Sequence, residues 1–107
     1  RGERRAIAAL TACLRDQDTD VRRAALQALA QVAEVGDARV VTAVSARLKD
    51  HDPGVRQAAV EALVEVAGVG NERAINALCG CCDDRDSLVR RAARQVLGRA
   101  LQELVEE

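Results

Sequence analysis

The stretch Asp50-His51-Asp52-Pro53-Gly54-Val55-Arg56-Gln57-Ala58-Ala59-Val60-Glu61-Ala62-Leu63 decides the fold, because its frame occurs three times. The frame is Asp-x-Asp-x-x-Val-Arg-x-Ala-Ala-x-x-x-Leu, and it also begins at Asp16 and at Asp84. Each copy therefore follows the previous one by 34 residues. Self-similarity at a fixed period of about 20–50 residues is the mark of a protein built from stacked repeats.

Each repeat contains two segments whose apolar residues recur every three or four positions, as on one face of a helix. In the second repeat, Val40, Val44 and Leu48 mark a first helix, helix A, and Asp52 followed by Pro53 suits the start of a second, helix B. The pattern predicts A helices at about 4–15, 38–49 and 72–83, and B helices at about 19–34, 53–67 and 87–105. The expected fold is an all-α solenoid, one domain over 1–107, with repeats at about 4–37, 38–71 and 72–105.

The composition narrows the function classes. The chain has 107 residues, 16 basic against 17 acidic, and no aromatic residue. Nucleic-acid binders usually show a strong basic excess, and single-strand binders stack bases on aromatic rings, so no nucleic-acid partner is expected. No apolar run approaches the roughly 20 residues that span a bilayer, so no membrane partner is expected either. A solenoid without these features favours recognition of a protein.

An arginine recurs in the first turn of each B helix, where a cation opposes the helix dipole. Recurrence at three positions predicts compensation by nearby acidic residues, in a ladder of hydrogen-bonded pairs along the stack. An anion-binding role for the three arginines is the alternative. The predicted ladder contains Asp16, Asp18, Arg22, Asp50, Asp52, Arg56, Asp84, Asp86 and Arg90.

The frame Asp-x-Asp-x-x-Val-Arg-x-x-Ala, followed by Ala-Leu and a small-residue break, resembles the HEAT repeat. The short period is most similar to the phycobilin-lyase-type subclass, and the segment from Asp37 to Gly70 fits that pattern closely. The resemblance covers about residues 4–100. It implies a right-handed superhelix whose B helices line the concave side and contact partners. Tetratricopeptide repeats have the same period but need aromatic positions, which this chain lacks.

The resemblance, carried over by register, predicts a partner-binding face on the B helices, and the same positions fall off the apolar stripe. We call this set the B-helix face: Arg23, Gln27, Gln31, Gln57, Glu61, Glu65, Arg91, Gln95 and Arg99. Its charge runs from basic to acidic to basic, which favours a protein segment of alternating charge. Ordinary solvated helix surface is the plain alternative.

The expected function is a non-enzymatic interaction or scaffold module. The alternative, again from the resemblance, is a lyase-like or chaperone-like subunit acting on a tetrapyrrole-bearing protein. A DNA-binding array, similar to the HEAT-like glycosylases, would need a basic concave surface, whereas Glu61 and Glu65 occupy its middle. An engineered repeat is disfavoured by the uneven copies.

Catalytic, metal and cofactor sites are not expected. His51 is the single histidine, in a loop between two aspartates. Cys79 and Cys82 have a CxxC spacing, but a zinc site needs a second pair, and a redox pair normally opens a helix rather than closing one. By register Cys82 should pack in the core, while Cys13 and Cys81 should be exposed. Cysteines crowded on one helix are a poor disulfide framework, so an intracellular, reducing compartment, cytoplasm or organelle stroma, is expected.

The two ends of the stack differ in sequence. The first A helix offers Ala6, Ile7 and Leu10 with little polar cover, which predicts self-association through the N-terminal repeat. At the other end, Arg94 and Gly98 occupy positions that are apolar in the earlier repeats, which predicts a polar C-terminal finish.

Overall fold

The computed structural model describes residues 4–106, and within them the chain is all-helical, with no strand. The predicted domain span 1–107 also includes residues 1–3 and 107, which lie outside the described residues. The all-α prediction is confirmed. The described residues form six α-helices: α1 (Arg4–Cys13), α2 (Thr19–Val32), α3 (Ala38–Ala46), α4 (Pro53–Ala67), α5 (Glu72–Cys81) and α6 (Ser87–Glu106).

The helix bounds agree with the sequence pattern at the starts and differ at several ends. Helix α4 has the predicted bounds, and α6 ends one residue later than predicted. The A helices end early: α1 and α5 end two residues short, and the last turn after α3 is a 3-10 helix, Arg47–Lys49. Such tightening satisfies terminal carbonyl groups, here through the Asp50 amide, which donates to the Arg47 carbonyl at 3.1 Å.

Side-chain caps define where most helices begin. The Asp52 carboxylate accepts a hydrogen bond from the Val55 amide at 2.9 Å, and the Asn71 side chain accepts one from the Ala74 amide at 3.0 Å. Asp18 and Asp37 cap α2 and α3 by accepting from the amide two residues later, that of Asp20 and that of Arg39. Because each cap residue satisfies an otherwise unpaired amide, the aspartates and the asparagine between segments set the helix starts.

The B helices build the centre of the molecule. Helix α4 packs against both α2 and α6, and each A helix packs against the B helix of its own repeat, while contacts between α1 and α3 are sparse. Leu26, Leu29 and Leu63 are fully buried in this aliphatic core, and Ala59 and Ala93 are fully buried beside them. Small side chains allow the helices to pack closely.

A backbone hydrogen bond joins the first repeat to the second at the far end of the B helices. The Gly36 amide donates to the Val66 carbonyl at 2.8 Å. Gly36 has a φ of 88°, a conformation that glycine adopts without steric cost. The glycine that follows the first B helix therefore also links the two repeats.

Candidate binding face and arginine ladder

Arg22 joins the first repeat to the second through a bidentate ion pair. Its Nε donates to Asp50 Oδ2 at 2.9 Å and its Nη2 donates to Asp50 Oδ1 at 3.1 Å. Its Nη1 donates to the carbonyls of Asp16 and Gln17, in its own A–B loop, at 2.7 and 3.0 Å. The guanidinium is thus held on two sides, by its own loop and by the carboxylate of the next repeat.

Arg56 repeats this geometry one step along the chain. Its Nε and Nη2 donate to Asp84 at 3.0 and 3.1 Å, and its Nη1 donates to the carbonyls of Asp50 and His51 at 2.9 and 3.0 Å. The side chain is 7% exposed and that of Asp84 is 12% exposed. Charge-assisted, bidentate pairs of this kind are stronger than neutral hydrogen bonds, and they offset a cation near a helix N-terminus.

The two acceptor carboxylates have lowered pKa values. For Asp50, burial acts to raise the pKa, but the hydrogen bonds from the Asp52 amide and from Arg22 outweigh it and hold the pKa below the ordinary range. For Asp84, burial again acts to raise the pKa, but the hydrogen bonds from the Asp86 amide and from Arg56 outweigh it, and the pKa is lowered. Asp50 also accepts a hydrogen bond from Arg47 Nη1 at 3.2 Å, a second cation that the third repeat replaces with a cysteine.

The remaining ladder residues have other partners within residues 4–106. Asp18, Asp52 and Asp86 cap helices, and Asp86 accepts from the Leu88 amide at 2.8 Å. Arg90 donates through Nη1 to the Asp84 carbonyl at 2.8 Å, and no ion pair joins it to a described carboxylate. Asp16 accepts from the Asp18 amide at 2.9 Å. Two of the three arginines therefore form inter-repeat pairs.

The predicted B-helix face lies at the surface. Eight of its nine residues are exposed, and Gln57 is half-buried. Part of this face borders a shallow groove of about 400 Å³ between α2 and α4, while Gln31, Glu65 and the three residues of the third repeat lie outside its lining. The groove is lined by Asp20, Arg23, Ala24, Gln27, Gly54, Gln57, Ala58 and Glu61.

Polar side chains in the groove pair with one another at the surface. Arg23 Nη2 donates to Asp20 at 2.8 Å, and Gln57 Nε2 donates to Glu61 at 3.4 Å. Exposed pairs like these contribute little to stability, so an incoming ligand can replace them at low cost. A Cβ at Gly54 would lie 2.9 Å from Asp52 Oδ2 and 3.3 Å from Arg23 Nη1, so the glycine leaves room for the cap carboxylate and for this arginine at the rim.

Two larger clefts lie between α1 and α3, on the side formed by the A helices. Their volumes are about 670 and 730 Å³, and both are lined by Thr11 and Arg39, one also by Arg4 and the other by Arg15. They exist because α1 and α3 contact each other sparsely. The predicted site residues contain none of these positions. The alanines of the first A helix are the feature of the sequence that could have indicated these clefts, since small side chains leave space between helices.

The cysteine predictions are partly wrong. Cys81 is 8% exposed rather than at the surface, and Cys13 is half-buried. Both share a register position with Arg47, which is itself half-buried and directed to the Asp50 carboxylate, so this register position is not fully exposed in any repeat. Burial, followed by the nearby Asp84 carboxylate, raises the pKa of the Cys81 thiol. Cys82 is half-buried and packs against the core, and the four described cysteines are free thiols.

The His51 side chain is exposed, while its backbone carbonyl accepts from Arg56. In the part of the chain that the structure describes, no group of three or more histidine, cysteine or acidic residues could hold a metal ion. Within the same residues, no helix combines the length and apolarity that a membrane crossing requires.

Comparison with family models finds a match to HEAT repeats over residues 7–98. The chain belongs to the HEAT-repeat family. This match covers the three copies of the Val-Arg frame and all the ladder residues. A comparison with curated proteins finds none that matches this HEAT-repeat chain. Membership is generally associated with a non-enzymatic scaffold fold that mediates protein–protein interaction.

Proposed function

We propose that this HEAT-repeat chain is a non-enzymatic interaction module that binds an extended protein segment along the B-helix face, beginning in the groove between α2 and α4. The three helical pairs then form a short α-solenoid with a right-handed superhelix, and the B helices line its concave side. The observation that carries the proposal is the groove itself, where Arg23, Gln27, Gln57 and Glu61 meet across two repeats.

The chemistry of the groove suits a polar, extended chain. Arg23 donates hydrogen bonds, Glu61 accepts them, and the two glutamines do both, so backbone amides and carbonyls of a peptide can be satisfied. Ala24 and Ala58 keep the floor of the groove low, which allows a peptide backbone to approach the helices. Aromatic anchors, which dominate many interfaces, must come from the partner, because this chain has none.

The charge of the face specifies the order of charges in the partner. An acidic residue is expected opposite Arg23, a basic one opposite Glu61 and Glu65, and an acidic one opposite Arg91 and Arg99. Complementary charges mainly affect the association rate and the choice of partner, so the interaction should weaken as salt rises. The free thiols support a reducing compartment as the place of this interaction. A role with a tetrapyrrole-bearing protein stays a prediction.

Selection from a library of short random peptides tests the charge order. The selected peptides should carry a basic residue near their centre, flanked by acidic ones. The double variant Glu61→Lys/Glu65→Lys should weaken their binding by at least about tenfold in fluorescence anisotropy, and should itself select peptides with an acidic centre. The thermal midpoint should stay close to that of the parent, because both residues are exposed.

The matched control is Glu103→Lys/Glu106→Lys, the same charge change at two exposed positions of α6 outside the B-helix face. It should leave peptide affinity and the selected charge order unchanged. Peptides that bind the parent chain and the Glu61→Lys/Glu65→Lys variant equally well would remove the B-helix face from consideration.

A further inference from the structure

The arginine ladder ends with an unmatched group at each end. We call the contact between two successive repeats a junction. At both junctions, an arginine uses Nε and Nη2 to bind the carboxylate found 28 residues later. Arg90 makes the Nη1 contact to its own loop that Arg22 and Arg56 also make, yet its Nε and Nη2 have no carboxylate among residues 4–106. The donor side of a third junction is therefore already positioned.

The acceptor side of such a junction is present at the opposite end. Asp16 accepts a hydrogen bond from Asp18, two residues later, as Asp50 does from Asp52 and Asp84 does from Asp86. In each case this bond involves one carboxylate oxygen and the loop amide. Asp50 and Asp84 add a guanidinium from the preceding repeat, while no ion pair involves Asp16 in the described part of the chain.

Apolar residues of the first repeat are more exposed than the residues at the equivalent positions of later repeats. Val55 and Val89 are fully buried, whereas the equivalent Val21 is half-buried. Leu78 is fully buried, whereas the equivalent Leu10 is half-buried. These positions become buried when another repeat packs on their N-terminal side, so this end has the shape and chemistry of a surface that accepts a repeat.

At the C-terminal end, Arg94 and Gly98 are exposed, as expected for the predicted polar finish, but an apolar side chain is exposed as well. Leu101 is 46% exposed, whereas Ala33 and Ala67, its equivalents in the earlier repeats, are buried. Arg94 stands at this end where Leu26 and Val60 are fully buried, and its Nη2 is turned back onto the Cys82 carbonyl at 3.3 Å. With the guanidinium directed to its own loop, the aliphatic stem of Arg94 remains available for packing.

We propose that this chain associates head to tail, with the C-terminal end of one copy stacked on the N-terminal end of the next. Arg90 of one copy forms a bidentate pair with Asp16 of the second copy, continuing the ladder across the interface. A second copy fits because one chain carries both unpaired halves of a junction, the donor Arg90 and the acceptor Asp16. Both lie at the positions that form the two existing junctions. The proposal is independent of peptide binding in the groove.

A head-to-tail contact joins two different surfaces, so it leaves a free end after every addition and need not stop at a dimer. The weight-average mass in sedimentation equilibrium or light scattering should therefore rise continuously with concentration, past twice the 11.4 kDa of one copy. Raising the salt concentration should shift the rise to higher protein concentration, because the exposed rim of the interface is charged.

Charge reversal at each end provides the decisive test. Asp16→Arg should weaken association by at least about tenfold, because two cations would meet, and Arg90→Asp should do the same with two anions. An equimolar mixture of the two variants should restore assembly, since each end of one is complementary to the opposite end of the other. Glu34→Arg and Arg73→Asp are matched controls at exposed positions outside the ladder and the B-helix face, and they should associate like the parent.

Circular dichroism and the thermal midpoint verify that the variants are folded. If Arg90→Asp is unfolded, Arg90→Gln replaces it, and its mixture with Asp16→Arg should form only a heterodimer, because a single Arg90–Asp16 pair can then form. Arg90→Gln should also weaken association by about tenfold, because the bidentate donor is lost. A parent chain that stays monomeric at every concentration, a parent mass that stops at the dimer, or a mixture of complementary variants that stays monomeric would each overturn the proposal.

Discussion

Helices α4 and α1 are both rich in alanine and aliphatic residues, yet their environments are opposite. Nine residues of α4 are buried, including Val55, Val60 and Leu63. Helix α1 contains Ile7, Leu10 and five alanines or cysteines, and none of its residues is buried. The difference is in the neighbours, because α4 packs between α2 and α6 whereas α1 packs mainly on α2. In a chain of stacked repeats, burial depends on the place in the stack as much as on the residue.

The same comparison holds for charged residues. Arg56 and Arg90 occupy one register position, and both contact their own loop through Nη1. Arg56 also binds Asp84 and is buried, while Arg90 is half-buried without such a pair in the described residues. The energetic contribution of an identical residue should therefore be large inside the stack and small at its end.

The largest expected effect is at Arg56. Arg56→Ala should lower the free energy of unfolding by about 3–5 kcal/mol, because it leaves the partly buried Asp84 carboxylate and two loop carbonyls without their donor. Arg90→Ala should cost about 1 kcal/mol or less, since one hydrogen bond to a carbonyl is lost. Urea denaturation followed by circular dichroism measures both. Equal losses would show that position in the stack does not determine the contribution of these arginines.

A slightly smaller effect is expected at an apolar position that is buried in one repeat and half-buried in another. Leu78→Ala should lower the free energy of unfolding by about 2–5 kcal/mol, because it leaves a cavity at a fully buried position. Leu10→Ala, at the equivalent but half-buried position, should cost about 1 kcal/mol. The midpoint of urea unfolding separates the two variants. A loss at Leu10 as large as that at Leu78 would contradict the incomplete cover of the N-terminal end.

Acid should weaken the junctions between repeats. The pKa values of Asp50 and Asp84 are lowered in the folded state from an ordinary value of 3.8, so their contribution is complete above that value. It should be lost as pH falls further, through the folded-state pKa values. Unfolding free energies measured between about pH 6 and pH 2 should therefore decline at the acid end.

The matched variant for the acid experiment is Asp50→Asn/Asp84→Asn. It should be less stable than the parent at neutral pH, and its stability should change less at the acid end because the two titrating groups are gone. An acid dependence as steep as that of the parent would assign the effect to other carboxylates.

The smallest expected effect is at the helix caps, whose hydrogen bonds are local and should not depend on the neighbouring repeats. Asp52→Ala removes the cap of the central helix α4, and Asp18→Ala removes the cap of α2. Each should lower the free energy of unfolding by about 1 kcal/mol, since a cap satisfies amides within its own helix. Differential scanning calorimetry on both variants measures the difference. A much larger loss for Asp52 would show that caps also depend on the position in the stack.

Much of the helical structure could be predicted from the sequence. The starts of the helices follow from Asp18, Asp37, Asp52 and Asn71, because caps act within a few residues. The helix ends were predicted less accurately, as at the 3-10 turn Arg47–Lys49, because several ways of satisfying the last carbonyl groups of a helix are close in energy. The buried Cys81 and the clefts beside α1 could not be predicted, since both depend on how neighbouring helices pack.

The sequence by itself determined the period of 34 residues, the all-helical class and the family, because caps and apolar periodicity are local and the frame is repeated three times. The tertiary structure alone decided which carboxylate each arginine binds. Arg22 pairs with Asp50 and Arg56 with Asp84, while Asp18 and Asp52, closer in sequence, serve as caps. The physical reason is geometric, because packing brings the next loop within reach of a guanidinium whose own helix offers it no acceptor.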